Sequence, residues 1–217
     1  MSTHAIGKIT VLIVNDHPLL RAGIRAILEK TSDIDVVGEA GGGDDAGKLL
    51  EDLHPPVILL DPKMPGFSAS AFVKWARDNY PETITLVLTA HDRDAYLANM
   101  MDANAVGYFD IDVRAEQLIG AIRRAASGGR LFDEQQKRRA QKWHEDVEKK
   151  WNSLSERERQ ILRLMADGAS NKEISSKLNL AESTVEKHLE KIYEKLGVTS
   201  RPKAVLWGIK NCMDFPY

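Results

Sequence analysis

A chain of 217 residues, 43% hydrophobic and 29% charged, is long enough for two small domains, each with a core of its own. No apolar run approaches the ~20 residues that cross a bilayer. The opening MSTHAIGKIT has neither the basic nor the apolar segment of a secretory signal, and the single Cys212 excludes an internal disulfide, so a soluble, cytoplasmic protein is expected. The net charge of −2 hides an asymmetry: residues 1–129 carry 12 Lys and Arg against 18 Asp and Glu, residues 130–149 carry 6 against 5, and residues 150–217 carry 12 against 9. An acidic first half suits a cation, and a basic second half suits a polyanion.

Five short apolar runs come first: ITVLIV (9–14), DVVGEA (35–40), PVILL (56–60), TLVLT (85–89) and AVGYF (105–109). Each is followed by an amphipathic stretch, which predicts repeated βα units and a doubly wound parallel sheet. Ligands of such sheets sit beyond the carboxyl ends of the strands. Asn15, Asp16, Asp61, Thr89, Tyr108, Asp110, Ile111 and Asp112 all fall at those ends. A carboxylate at a strand end is also an ordinary cap or turn residue, so position alone does not give it chemistry. Gly42, Gly47 and Lys48 stand at the spacing of a nucleotide-binding P-loop, but Leu49 occupies the place of the metal-binding hydroxyl. A flexible turn into the following helix explains those glycines more simply. No Ser/His/Asp order, HExxH or cysteine cluster suggests an enzyme.

Taken together, VLIVNDHP, VILLDPKMPG, LVLTAHD and AVGYFDID resemble the successive landmarks of the receiver domain of response regulators. That resemblance implies that Asp61 accepts a phosphoryl group. It implies a Mg²⁺ held by Asp16, Asp61 and the Lys63 backbone carbonyl, oxygen ligands of the kind a hard cation prefers. Thr89 would contact the phosphoryl group, and Tyr108 matches the aromatic that changes rotamer on activation. Two positions depart from the family pattern. Asn15 replaces one of an acid pair, leaving a weaker metal ligand, and Ile111 stands where a phosphate-contacting lysine is expected, between Asp110 and Asp112. A degenerate receiver is therefore expected, phosphorylated inefficiently or regulated without phosphate. The alternative is a pure protein-docking module.

Residues 133–151 are highly charged and carry a narrow apolar stripe at Ala140, Trp143, Val147 and Trp151, which predicts a helical linker over 131–152. Two readings stay open for the stripe: it rests on one of the domains, or it pairs with a second copy as a coiled-coil seam.

From Ser153 onward helix punctuation takes over. Ser155 with Glu158 and Ser170 with Glu173 read as capping boxes. A turn through 179–181 leads to a helix over Glu182–Leu196 closed by Gly197, and a last helix spans about 201–210. On a wheel of about 100° per residue, Leu189, Ile192 and Leu196 fall within about 40° of Val185, while Lys187, Lys191, Lys195, Thr184 and His188 form a basic stripe elsewhere. Interleaved Glu and Lys are often just a solvated face.

The run LSERERQILRLMADGASNKEISSKLNLAESTVEKHLEKIYEKLGVTSR resembles a LuxR-type helix-turn-helix, and the whole chain resembles the NarL/FixJ family. The expected architecture is a receiver over 5–130, the linker, and a DNA-binding domain over 153–217. The resemblance implies double-stranded DNA as the partner, with Lys187, His188 and Lys191 reading bases or backbone and Lys172, Ser183, Thr184 and Arg201 on phosphates. Ala181 departs from the usual capping serine. The resemblance also implies a sensor histidine kinase partner and a homodimer formed through the last helix, with Ala204, Val205, Trp207 and Ile209 at its surface.

Overall fold

The computed structural model describes residues 8–211, so Cys212 lies outside the described residues. The chain divides into two compact units, with the boundary in sequence between Ala140 and Gln141.

In the first unit, strands β1 (Ile9–Val14), β2 (Ile34–Ala40), β3 (Val57–Leu60), β4 (Ile84–Thr89) and β5 (Gly107–Asp110) alternate with helices α1 (Pro18–Leu28), α2 (Gly43–Leu53), α3 (Ala69–Asn79), α4 (Asp94–Asp102) and α5 (Ala115–Ala126). The strands form one parallel sheet in the order β2-β1-β3-β4-β5, the doubly wound arrangement expected from the alternating pattern. Strands covered by helices on both faces need apolar residues at every position. Val11, Leu12, Ile13 and Val14 are accordingly all buried, whereas the edge strand β2 alternates buried and half-buried residues. The fifth strand starts at Gly107 rather than Ala105. Ala105 donates its N–H to Met100 and so closes α4, and a Cβ at Gly107 would meet Leu86, Leu131 and Phe109 at 3.0–3.1 Å.

Of the glycines at the start of α2, Gly43 serves packing. A Cβ on Gly43 would run into the ring of Phe67, so the loop after β3 closes directly over the first turn of α2.

Helix α6 (Glu134–Trp143) runs into a π turn over His144–Glu148 and then α7 (Lys149–Ser153). The apolar spacing of four residues in 143, 147 and 151 overruns the 3.6-residue α period, and a wider turn takes up the surplus. Ala140, Trp143 and Trp151 are buried and Val147 is half-buried. Trp151 belongs to the second unit's core, with the guanidinium groups of Arg159 and Arg163 over its ring at 5.2 and 5.3 Å.

The second unit continues with α8 (Glu156–Ala166), α9 (Asn171–Leu178), α10 (Glu182–Leu196) and α11 (Arg201–Asn211). Both capping boxes are formed. Asn179 (φ 54°) and Gly197 (φ 68°) take the left-handed conformation that ends α9 and α10. Ile161, Leu162, Ile174, Val185, Leu189 and Ile192 meet in the core. Ala204 corrects the expectation for the last helix: it is fully buried, and α11 packs so closely on α8 that a Cβ on Gly208 would lie 3.2 Å from Ala166. Leu206 and Ile209 are exposed large apolar residues of α11.

Ile192→Ala should destabilise the second unit by about 2–5 kcal/mol through lost burial and a residual cavity. Chemical denaturation should show that unit's transition shifted and the first unit's transition unmoved.

Candidate functional site

At the carboxyl ends of β1, β3 and β4 the chain gathers Asn15, Asp61 and Thr89, none more than 2% exposed. Their placement follows from the sheet register: Val14 and Leu60 are partners across β1 and β3, and the Asp61 N–H donates to the Val14 carbonyl at 2.9 Å. A carboxylate removed from water needs donors. Asp61 receives the Thr89 hydroxyl at 3.1 Å, the Lys63 backbone N–H at 3.0 Å and the Asn15 side-chain amide at 3.1 Å.

Burial pushes the Asp61 carboxyl up from its ordinary value, and the nearby charge of Asp16 pushes the same way. The Lys63 N–H and the Thr89 hydroxyl pull it back without cancelling the rise. Ligand atoms of Asp16, His17 and Asp61 lie within 4.8 Å of one another, and the two carboxylates suit a hard divalent cation. Asn15 fits less well, because its oxygen already accepts the His17 N–H at 2.7 Å and its amide points at Asp61.

Sequence reasoning missed the roles of His91 and the Lys63 side chain. His91 donates its N–H to the Thr89 hydroxyl at 3.1 Å, accepts the Tyr108 hydroxyl on its carbonyl at 3.2 Å, and meets the Lys63 ammonium through its ring at 3.2 Å. Tyr108 is thereby held inward, 2% exposed. The Ile111 backbone N–H is tied to the Thr89 carbonyl at 3.0 Å, while its side chain is 38% exposed beside the exposed Asp110 and Asp112. The P-loop-like residues Gly42, Gly47 and Lys48 are not part of this group.

In the second unit, Val185, Leu189, Ile192 and Leu196 are the buried face of α10, as the wheel predicts. Lys187, Lys191 and Ser183 are exposed, as is Lys172 on α9, and Thr184 and His188 are half-buried. The His188 Nδ1 atom has no hydrogen-bond partner among the described residues. Two expected members of the basic surface are also engaged within the unit. The Lys195 ammonium pairs at 2.7 Å with Glu158, which is 3% exposed. Burial raises the Glu158 carboxyl, but Lys195 and the groups of Ser155 outweigh it and hold it below the usual range. Arg201 donates to the Asn171 side chain at 2.8 Å and to the Ala169 carbonyl, bracing α11 against the start of α9.

Residues 11–123 match the family described as the response regulator receiver domain, and residues 152–207 match the luxR family of bacterial regulatory proteins. The chain belongs to the response regulator family. This regulator is 38% identical to the nitrate/nitrite response regulator protein NarP of Escherichia coli, over 90% of this chain and 92% of NarP. It is 32% identical to the transcriptional regulatory protein DegU of Brevibacillus brevis, over 94% of each chain. Among solved structures, it resembles the response regulator ChrA of a heme-sensing two-component system (33% identity, TM-score 0.56, covering 93% and 96% of the two chains). It also resembles RcsB in complex with DNA (27% identity, TM-score 0.59, covering 93% and 98%). The regulator thus couples a receiver to a LuxR-type DNA-binding module. Among the described residues, no helix is long and apolar enough to cross a membrane.

The raised Asp61 carboxyl carries a sign for stability. A folded state that binds this proton more tightly than the unfolded chain loses stability as pH rises through the raised value. Asp61→Asn should therefore stabilise the receiver at neutral pH, with the gain shrinking as pH falls through that range toward the ordinary carboxylate value. Urea denaturation of both proteins across pH 4–8 checks this.

Proposed function

We propose that this response regulator controls transcription as a homodimer on double-stranded DNA, with a receiver that phosphate switches inefficiently or not at all. The observation that carries the reading is Ile111. Its backbone is fixed beside Thr89, its side chain is aliphatic, and carboxylates flank it. Losing a preorganised cation against charge that develops during phosphoryl transfer costs a few kcal/mol in the transition state. Asp110 and Asp112 add repulsion. When bound, Mg²⁺ would neutralise phosphoryl oxygens from Asp16, Asp61 and the Lys63 carbonyl, with Asn15 a weak neighbour whose oxygen is already engaged. Asp61 is the proposed acceptor, Thr89 and His91 the groups that register its occupancy, and Tyr108 the ring that follows His91. A sensor histidine kinase is the expected phosphoryl donor, and the cytoplasm the expected compartment.

Lys187, His188 and Lys191 are the proposed readers in the major groove, with Lys172, Ser183, Thr184 and Arg201 toward the phosphates. One such module neutralises few phosphates, so affinity calls for two copies on two half-sites. Leu206 and Ile209 on α11 offer the apolar surface for that pairing.

Incubation with Mg²⁺ and a small phosphodonor, followed by intact mass measurement, should show slow modification that Asp61→Asn abolishes. Ile111→Lys should accelerate it at least tenfold. Rapid, stoichiometric modification of the natural protein would overturn the degenerate-receiver reading. Lys187→Ala should weaken DNA binding and flatten the slope of log affinity against log salt by about one. Selection from random duplexes should enrich a paired half-site, and enrichment of nothing would remove the DNA assignment.

The donors already around Asp61 favour a second reading, in which the receiver only docks a protein and performs no phosphoryl chemistry. DNA affinity unchanged both in Asp61→Ala and after acetyl phosphate treatment would support it.

A further inference from the structure

Helix α6 is fastened to the loop that leaves the Asp61 pocket. Arg139 places two guanidinium nitrogens on the Asp92 carboxylate at 2.8 and 3.0 Å and its Nε on Asp94 at 2.7 Å. One turn earlier, Gln136 donates its side-chain amide to the Tyr108 carbonyl at 2.8 Å, while Asp133 and Gln136 cap the start of the helix reciprocally. An isolated surface ion pair contributes little. Here one rigid fork bridges two carboxylates, with a neutral hydrogen bond alongside, and Asp94 also opens α4.

The loop held in this way starts at Thr89, whose hydroxyl donates to Asp61 and accepts from the His91 N–H. The Tyr108 hydroxyl grips the His91 carbonyl while the Tyr108 carbonyl holds Gln136. An unbroken set of bonded groups therefore runs from Asp61 through Thr89 and His91 to Asp92, Asp94 and Arg139. Helix α6 itself continues past residue 140 into the second unit.

We propose that Arg139, with Asp92, Asp94 and Gln136, is a latch that holds the linker helix against the pocket loop, and that the position of Thr89 sets whether it stays closed. Opening it frees the start of the second unit and changes the affinity of the full chain for DNA. This rests on the reading above that the receiver governs a DNA-binding domain. It does not require that phosphate be the signal, since a bound partner that moves the 90–94 loop acts on the same bonds.

The test is hydrogen–deuterium exchange with mass spectrometry on the full chain, together with DNA binding to a selected duplex. Arg139→Ala should raise exchange over 134–143 at least tenfold with the strand peptides unchanged, and should shift DNA affinity at least fivefold. Arg139→Lys keeps the charge without the fork and should fall between. Thr89→Val should loosen the same segment without touching the latch residues. Unaltered exchange over 134–143 in Arg139→Ala would overturn the latch. Faster exchange with unchanged DNA affinity would overturn its control of the second unit, and a silent Thr89→Val would overturn the link to the pocket. If the natural chain binds no DNA, the proposed function fails, and the exchange measurements still decide the latch.

Discussion

A carboxylate kept out of water must be surrounded by donors, and the first unit is arranged to satisfy that demand at Asp61. Its three donors come from the ends of β1 and β4 and from the backbone just after β3. The sheet register brings these groups within bonding distance, and the helices on both faces keep solvent from substituting for them. Because the Thr89 hydroxyl serves both Asp61 and His91, any change in charge or size at Asp61 is felt first in the loop after β4. The site is therefore both a chemical centre and the starting point of a mechanical path.

The second unit uses a comparable device for a different purpose. Glu158 is buried, completes the cap of α8 and pairs with Lys195 near the end of α10. Removing one partner of a buried pair leaves an uncompensated charge, so the pair fixes the angle of α10 against α8 more firmly than it adds net stability. Orientation is what a groove-reading helix needs, because its early exposed residues must arrive together at the base edges.

The strands, their parallel doubly wound arrangement and the capping boxes were legible because continuous apolar runs, helical periodicity and Ser-x-x-Glu punctuation each reflect a local physical preference. Asp61, Thr89 and Asn15 were legible as a group because strand ends in such a sheet converge. Several features were not legible, each for a reason outside local pattern. Lys195 and Lys187 look alike in a helical wheel, and the difference is a buried carboxylate 37 residues away. Arg139 reads as one charge in a charged helix until the loop carrying Asp92 and Asp94 is brought against it. Ala204 looks as available as Leu206 until α11 is laid on α8. The pair Asp133 and Gln136 could have been found, since an acidic cap followed three residues later by Gln is a known helix opening.

The parallel sheet also sets an order of assembly. Asn15 and Asp61 are 46 residues apart, and β1 cannot meet β3 until an intervening strand and two crossovers have been accommodated. Closing such long loops before any reward makes parallel pairing slow, while helices joined by short turns gain contacts early. During synthesis the first unit leaves the ribosome first, yet the helical unit should mature faster once released. Because the first unit is complete before the second has emerged, its slower strand pairing has the time of the second unit's synthesis in which to finish.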